Sequence, residues 1–285
     1  MKIIVLFTLL CFSISFSNEK QEFFRPVINQ LLERGVDSTF VYKLINHESV
    51  QFDEKYVKIN VTGYLKKADY SQNYSDYSVN KSRNFLNSHV SILEKAELEY
   101  GVPKEVITSI LWVETRTGSY LGNNHIPSVF LSTAMANQPE FIEMNTAVFK
   151  ESYSDESDEL QKYVEKVVSR ANKKTNWALG EIEALAKIDK MLPISIFDLK
   201  GSWAGAFGMS QFLPSSYSRW AVDGNNDGEI DLFNVEDAIF SVANYLKTNG
   251  WGEENEKQRK AVFHYNNSND YVDAVLKLAD KLAVN

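Results

Sequence analysis

Apolar side chains recur at three- and four-residue steps along most of this chain, a period that admits little but helix. Phe24, Val27, Ile28, Leu31 and Leu32 make one such stripe. Phe85, Leu86, His89, Ile92, Leu93, Ala96 and Tyr100 make another within residues 83–100, read as one helix. Ile239, Val242, Ala243 and Leu246 follow Asn234, and Val272, Val275, Leu276, Ala279 and Leu282 close the series. Breakers fall between the stripes: Gly35, then Gly101 with Pro103, then Pro193, then Asn249-Gly250, as helix ends require. Asp37-Ser38 suits the cap of the helix after Gly35. Residues 50–80 carry tyrosines and polar residues without a period and read as extended or looped. Residues 151–175, rich in Ser, Asp, Glu and Lys, read as a solvated helix or loop. The helical pattern resumes at Trp177 and runs through Leu185 and Ile188, and residues 201–208 read as a Gly-rich loop. The fold class expected is mostly α, formally α+β, with little strand.

The first residues bear on the compartment. Lys2 is a short positive region, and residues 3–12 form an apolar run too short to span a bilayer comfortably. Ser15 and Ser17 sit at the small-residue spacing of a signal-peptidase site. Residues 1–17 therefore read as a cleaved export signal. Residues 18–285 read as the working region, with an N-terminal helical and looped part over 18–80 and a core over 81–285 that carries a polar insertion around 151–175. The alternatives are a retained membrane anchor and lipidation at Cys11, where Leu10 stands in place of the usual small residue. Cys11 is the only cysteine, so the region after the signal has no disulfide or thiol chemistry. A net charge of -8 and a pI near 5.2 leave no global basic field for a nucleic-acid backbone.

The segment 103–115 reads as a strongly amphipathic helix, with Ile107, Ile110 and Leu111 on its apolar stripe. Glu114 lies three residues after Leu111 and four after Ile110, so it projects from that same stripe, where a carboxylate is unexpected. Burial disfavours the charged form and raises a carboxyl pKa. A carboxyl that stays protonated near neutral pH can donate to a leaving group. Gly118 reads as the end of this helix. The competing reading is a structural ion pair of Glu114 with Arg116, and the pattern alone does not separate the two.

Gly101-Val102-Pro103, then Val113-Glu114-Thr115-Arg116 with Gly118, resembles the catalytic segment of the lytic murein transglycosylase B family. So does the run from Lys200-Gly201-Ser202-Trp203-Ala204-Gly205-Ala206-Phe207-Gly208 to Gln211-Phe212-Leu213-Pro214 and Tyr217. Val242-Ala243-Asn244-Tyr245, and Tyr265-Asn266 with Ser268 and Tyr271, follow in the family's order. The resemblance covers residues 20–285, with 136–175 the poorest stretch. It implies a lysozyme-like helical fold that cleaves the β-1,4 bond between N-acetylmuramic acid and N-acetylglucosamine without water and leaves a 1,6-anhydro product. Glu114 would be the acid and base, with no cofactor for catalysis. Ser202, Gln211, Tyr245, Tyr265 and Asn266 would bind the sugars. Each tyrosine could instead be core, and Gly205 and Gly208 could either admit the glycan closely or only turn the loop.

Asp223-Gly224-Asn225-Asn226-Asp227-Gly228 fits the start of an EF-hand loop, with alternating oxygen donors and a Gly at the sharp turn. The usual Glu at the twelfth position is missing and Asn234 stands there. The family resemblance implies closure by a later acid, Asp237. The implied calcium ligands are then Asp223, Asn225, Asp227, Glu229 through its carbonyl, and Asp237. The plainer reading is a polar turn, with Asp237 serving a helix cap. His47, His89, His125 and His264 show no metal spacing. The expected partner is the peptidoglycan glycan strand, met by an exported, periplasmic monomer, with cell-wall assembly proteins as further partners and no nucleic acid. The competing functions are a hydrolytic muramidase on the same scaffold and a non-catalytic, calcium-stabilised glycan binder.

Overall fold

A computed structural model describes residues 18–63, 69–150 and 158–284. The export signal read at residues 1–17 lies outside the described residues. Within them no helix is long and apolar enough to cross a membrane.

The described residues are mostly helical, as the stripes require. The helices α1 (Arg25–Glu33) and α3 (Glu54–Thr62) pack against the group α7 (Ile126–Ala134), α8 (Pro139–Lys150) and α9 (Asp158–Ile188), and α2 (Ser38–Asn46) packs on α1. All nine residues of α7 are buried, the pattern of a helix enclosed on every side. The long α9, about 46 Å from its length, buries Leu160, Val167, Ala171, Ala178, Ile182 and Leu185 along one face. Its solvated opposite face accounts for the polar composition read in the sequence.

A second group of helices surrounds α6 (Lys104–Thr115). α4 (Asp76–Ser88), α5 (Val90–Tyr100), α11 (Val235–Thr248) and α13 (Asn269–Ala283) all touch it. α12 (Asn255–Tyr265) packs on α11 and α13, and the short α10 (Pro214–Trp220) bridges α9 to α11. Val106, Ile107, Ile110 and Leu111 of α6 are buried in one continuous core that joins both groups. The strands are minimal: β1 (Asn124–His125) pairs antiparallel with β2 (Lys200–Gly201), Asn124 opposite Gly201.

Three expectations need correction. Residues 50–80 are not extended: they hold α3, a 3-10 turn at Ser71–Tyr74 and the start of α4. The buried face of α3 is Tyr56, Val57 and Val61 interrupted by Asn60, whose amide donates to Tyr56 O at 2.9 Å, and that of α4 is Ser78, Ser82 and Leu86, so the apolar period is short and broken in the first helix and missing from most of the second. Residues 83–100 are two helices, because the chain bends at His89 (φ -121°, ψ 21°), which separates α4 from α5. Gly118 does not end α6. The helix stops at Thr115, with Arg116 in the left-handed region at φ 52°.

Candidate active site

Glu114 occupies the last turn of α6, half-buried, with solvent still reaching it. The Tyr271 hydroxyl donates to Glu114 Oε1 at 2.6 Å. Tyr271 is 1% exposed at the start of α13, so a buried donor fixes the carboxyl. Burial pushes the Glu114 carboxyl up to about 7, against the smaller downward pull of the Tyr271 hydrogen bond. No second carboxylate touches Glu114 among the described residues. The alternative ion pair with Arg116 is not formed: the guanidinium donates to Asn73 Oδ1 and lies 4.8 Å over the Trp112 ring.

Tyrosines surround the carboxyl. Tyr265 and Tyr271 lie nearly parallel, with ring centroids 6.4 Å apart, and Tyr70 meets Tyr271 edge-on at 5.7 Å. Burial first, and the nearby Glu114 second, hold the phenols of Tyr70, Tyr265 and Tyr271 above their ordinary range, so all three stay neutral donors. Tyr70 is also in hydrogen-bonding reach of the Asn266 side chain, which ties Asn266 to the cluster. Tyr245 continues the aromatic wall, edge-on to Tyr265 at 4.7 Å. Sequence reasoning gave no role to Tyr70, which falls in the stretch read as loop. It assigned none to Tyr271, whose presence in the Tyr265–Tyr271 motif was the one signal that could have found it.

The two implied sugar-binding tyrosines spend their hydroxyls inward. Tyr265 donates to Ser210 O at 2.5 Å and Tyr245 to His264 O at 2.8 Å. Ring faces, with the remaining lone pairs, are what they have left for a ligand. Gln211 sits at φ 49°, and its amide donates to Gly208 O at 3.0 Å and Leu121 O at 3.3 Å. Ser202 Oγ accepts from Ala206 N at 3.1 Å, which closes the Gly-rich turn and leaves its own proton free. Gly205 and Gly208 face Phe130 and Leu232, where a Cβ would come within 2.2 and 2.4 Å. Their smallness therefore serves packing of the loop.

The segment after α6 is sewn to that loop. The Thr115 hydroxyl donates to Met209 O at 3.0 Å and accepts from Gly118 N at 2.9 Å. At Gly122, φ is +84° and a Cβ would lie 2.2 Å from Gly201 O. This backbone contact ties the segment that follows α6 to the loop that carries Ser202 and Gln211.

Residues 223–237 form a closed polar loop. Asp223 accepts from Asp227 N and Gly228 N, and Asp237 from Gly224 N at 2.8 Å and Asp231 N at 2.6 Å. Asn234 caps α11 through Glu236 N, and its own N–H donates to Asp231 O at 2.8 Å, so Asp237 does not complete that cap. It is 1% exposed, and burial raises its carboxyl above the ordinary range, partly offset by those backbone donors. Asn225 Nδ2 donates to Asp227 Oδ2 at 2.8 Å. No group of three or more His, Cys, Asp or Glu side chains among the described residues meets the geometry of a metal site. The carboxylates of Asp223, Asp227 and Asp237 have no cationic side-chain partner there either. The donors are oxygens, the kind a hard cation takes, but the acidic side chains are not gathered about one point.

The family model of the Transglycosylase SLT domain matches residues 16–263. Membrane-bound lytic murein transglycosylase B of Escherichia coli (strain K12) is 34% identical over 167 residues, 59% of this chain and 37% of that protein. The match thus spans little more than a third of that curated relative. Among solved structures, the Escherichia coli lytic transglycosylase Slt35 in complex with calcium superposes with a TM-score of 0.67 at 21% identity, covering 92% of each chain. SltB3 from Pseudomonas aeruginosa in complex with NAG-anhNAM-pentapeptide gives 0.68 at 20% identity, covering 93% of this chain and 80% of that one. The likeness establishes the lysozyme-like helical fold expected from the sequence.

Proposed function

The chain belongs to the Transglycosylase SLT domain family, and from that membership we propose that it is a peptidoglycan lytic transglycosylase. It cuts the β-1,4 bond between N-acetylmuramic acid and N-acetylglucosamine. The observation that carries the reading is a single carboxyl, Glu114, raised by burial to about 7 and held at one oxygen by Tyr271.

Below that pH the carboxyl holds a proton. It passes the proton to the glycosidic oxygen as the C1–O bond breaks, and N-acetylglucosamine leaves with its 4-hydroxyl restored. The positive charge at C1 of the muramic acid is stabilised by the acetamido group of the same sugar. Glu114, now a carboxylate, removes the proton of the 6-hydroxyl, whose oxygen closes on C1. The 1,6-anhydro ring forms and Glu114 ends protonated, as it began. No second carboxylate is needed, in contrast to a two-acid glycosidase, because the nucleophile is tethered to the reacting sugar. Tyr271 is a positioning residue: its hydrogen bond favours the carboxylate form that must exist between the two steps. The faces of Tyr245 and Tyr265, with Ser202, Gln211 and Asn266, are the proposed sugar contacts. Such a substrate lies outside the cytoplasmic membrane, in accord with the export signal read at residues 1–17.

Product analysis tests the reading. Peptidoglycan digested by the protein should release muramic acid ends lighter by one water than those of a hydrolytic muramidase. Reducing muramic acid ends would point to hydrolysis on the same scaffold, and no new ends at all to a binder.

The family likeness to Slt35, whose structure was solved with calcium, supports a structural calcium ion in the 223–237 loop. Asp223, Asn225, Asp227, the Glu229 carbonyl and Asp237 would hold it. The ion would neutralise three carboxylates and clamp the loop to α11. Calcium at a hundredfold over its Kd should add about 2.7 kcal/mol of stability, read as a rise in Tm that a chelator reverses. Asp237→Asn should remove that calcium response. A Tm indifferent to calcium contradicts the site.

A further inference from the structure

We propose that a pocket between α4 and the segment after α6 binds carboxylates of the peptide that branches from peptidoglycan. This rests on the transglycosylase reading and extends it from the glycan to its side branch. The pocket has a volume of about 300 Å³ and is lined by Tyr77, Lys81, Trp112, Arg116, Ser119 and Tyr120.

Arg116 lies over the face of buried Trp112, with its guanidinium 4.8 Å from the ring centre, and Lys81 lies 5.7 Å over Tyr77. Tyr77 meets Trp112 edge-on at 6.4 Å. Among the described residues no carboxylate pairs with either cation, and the acceptor recorded for Arg116 is the neutral Asn73 amide oxygen. By contrast Lys43, Lys55, Lys58, Lys104 and Lys257 all have acidic partners. A half-buried guanidinium without a counter-ion is costly, and its planar fork matches a carboxylate. Tyr77 and Tyr120 are 67% and 74% exposed, and such amphipathic rings suit a ligand with both apolar and polar parts.

Placement links the pocket to Glu114. Trp112 and Glu114 project from different faces of α6, so the link runs through the segment that follows the helix. Arg116 and Thr117 both adopt left-handed backbone, φ 52° and 53°, uncommon for such side chains. The chain thereby sends Arg116 over Trp112 while Gly118 and Leu121 meet Met209 and Gln211. One short segment therefore borders both the pocket and the glycan-binding loop, as recognition of a branch on a bound strand requires.

The test measures binding without cleavage, in Glu114→Gln protein, using muropeptide oligomers that carry peptide and the same oligomers stripped by an amidase. Lys81→Gln and Tyr120→Ala alter exposed side chains and leave the core intact; Arg116→Gln is the third variant. Each should weaken peptide-bearing ligand about tenfold and change stripped ligand less than twofold. Equal weakening of both ligands would mean that the pocket reads the lactyl carboxylate or the sugars, and the proposal fails. Unchanged affinity for peptide-bearing ligand in all three variants also overturns it, even with turnover on glycan intact. If neither ligand binds any form of the protein, the transglycosylase reading fails together with the pocket.

Discussion

Glu114→Gln is expected to lower turnover on peptidoglycan by about 10³-fold, within the range that a lost proton donor costs, while glycan binding persists. The same variant should be the more stable protein in alkali. The folded carboxyl titrates near 7 against an ordinary 4.5, so the folded state binds the extra proton between those values. Wild-type stability therefore falls as pH rises through that window, by about 3 kcal/mol in all. An amide does not titrate, so the variant escapes the loss. Urea melts of both proteins at pH 4.5 and pH 8 should show the difference opening only at the higher pH. Activity of the wild type should decline along a limb centred near pH 7, as the donor proton is lost. A variant that keeps its turnover, or a wild type that loses no more stability than the variant between pH 4.5 and pH 8, contradicts the role given to this side chain.

Gly122→Ala should be among the most damaging single methyls near the site. The added Cβ would meet the Gly201 carbonyl at 2.2 Å, and φ is +84°, so neither the backbone nor the neighbour can yield cheaply. Overpacking and left-handed strain together predict a loss of about 3–5 kcal/mol, or roughly 10 °C in Tm. Because Gly201 adjoins Ser202, and Leu121 holds Gln211, the surviving folded protein should also show a raised KM. Gly180→Ala in α9 is the control: nothing lies within 4 Å of its Cβ, and a helix gains about 0.5–1 kcal/mol from Ala there. A Gly122→Ala protein that melts like wild type would show that this seam is not as tight as the geometry indicates.

The legible and illegible parts of this molecule divide along physical lines. Helices with apolar faces, such as α1, α11 and α13, were written in the sequence, since a stripe of Ile, Leu and Val has no other use at that spacing. α3 and the start of α4 were not, because Asn60, Ser78 and Ser82 are buried on polar bonds or by small size, and neither leaves a hydropathy signal. Glu114 was legible as a carboxylate on an apolar stripe. Its surroundings were not: Tyr271 lies 157 residues away, and Tyr70 comes from a stretch without a period. The choice between an ion pair with Arg116 and a buried acid was likewise closed to sequence. It turns on the left-handed backbone at Arg116, which carries that side chain to Trp112 and Asn73.

The most direct measurement is the ionisation of Glu114 itself, followed by carbon NMR on protein labelled at the glutamate carboxyls and assigned by comparison with Glu114→Gln. A midpoint near 7 is predicted, with an upward move in Tyr271→Phe as the hydrogen bond to the charged form is lost. A midpoint in the ordinary glutamate range, about 4 to 5, would mean that the group is a carboxylate throughout neutral pH and has no proton to give the glycosidic oxygen.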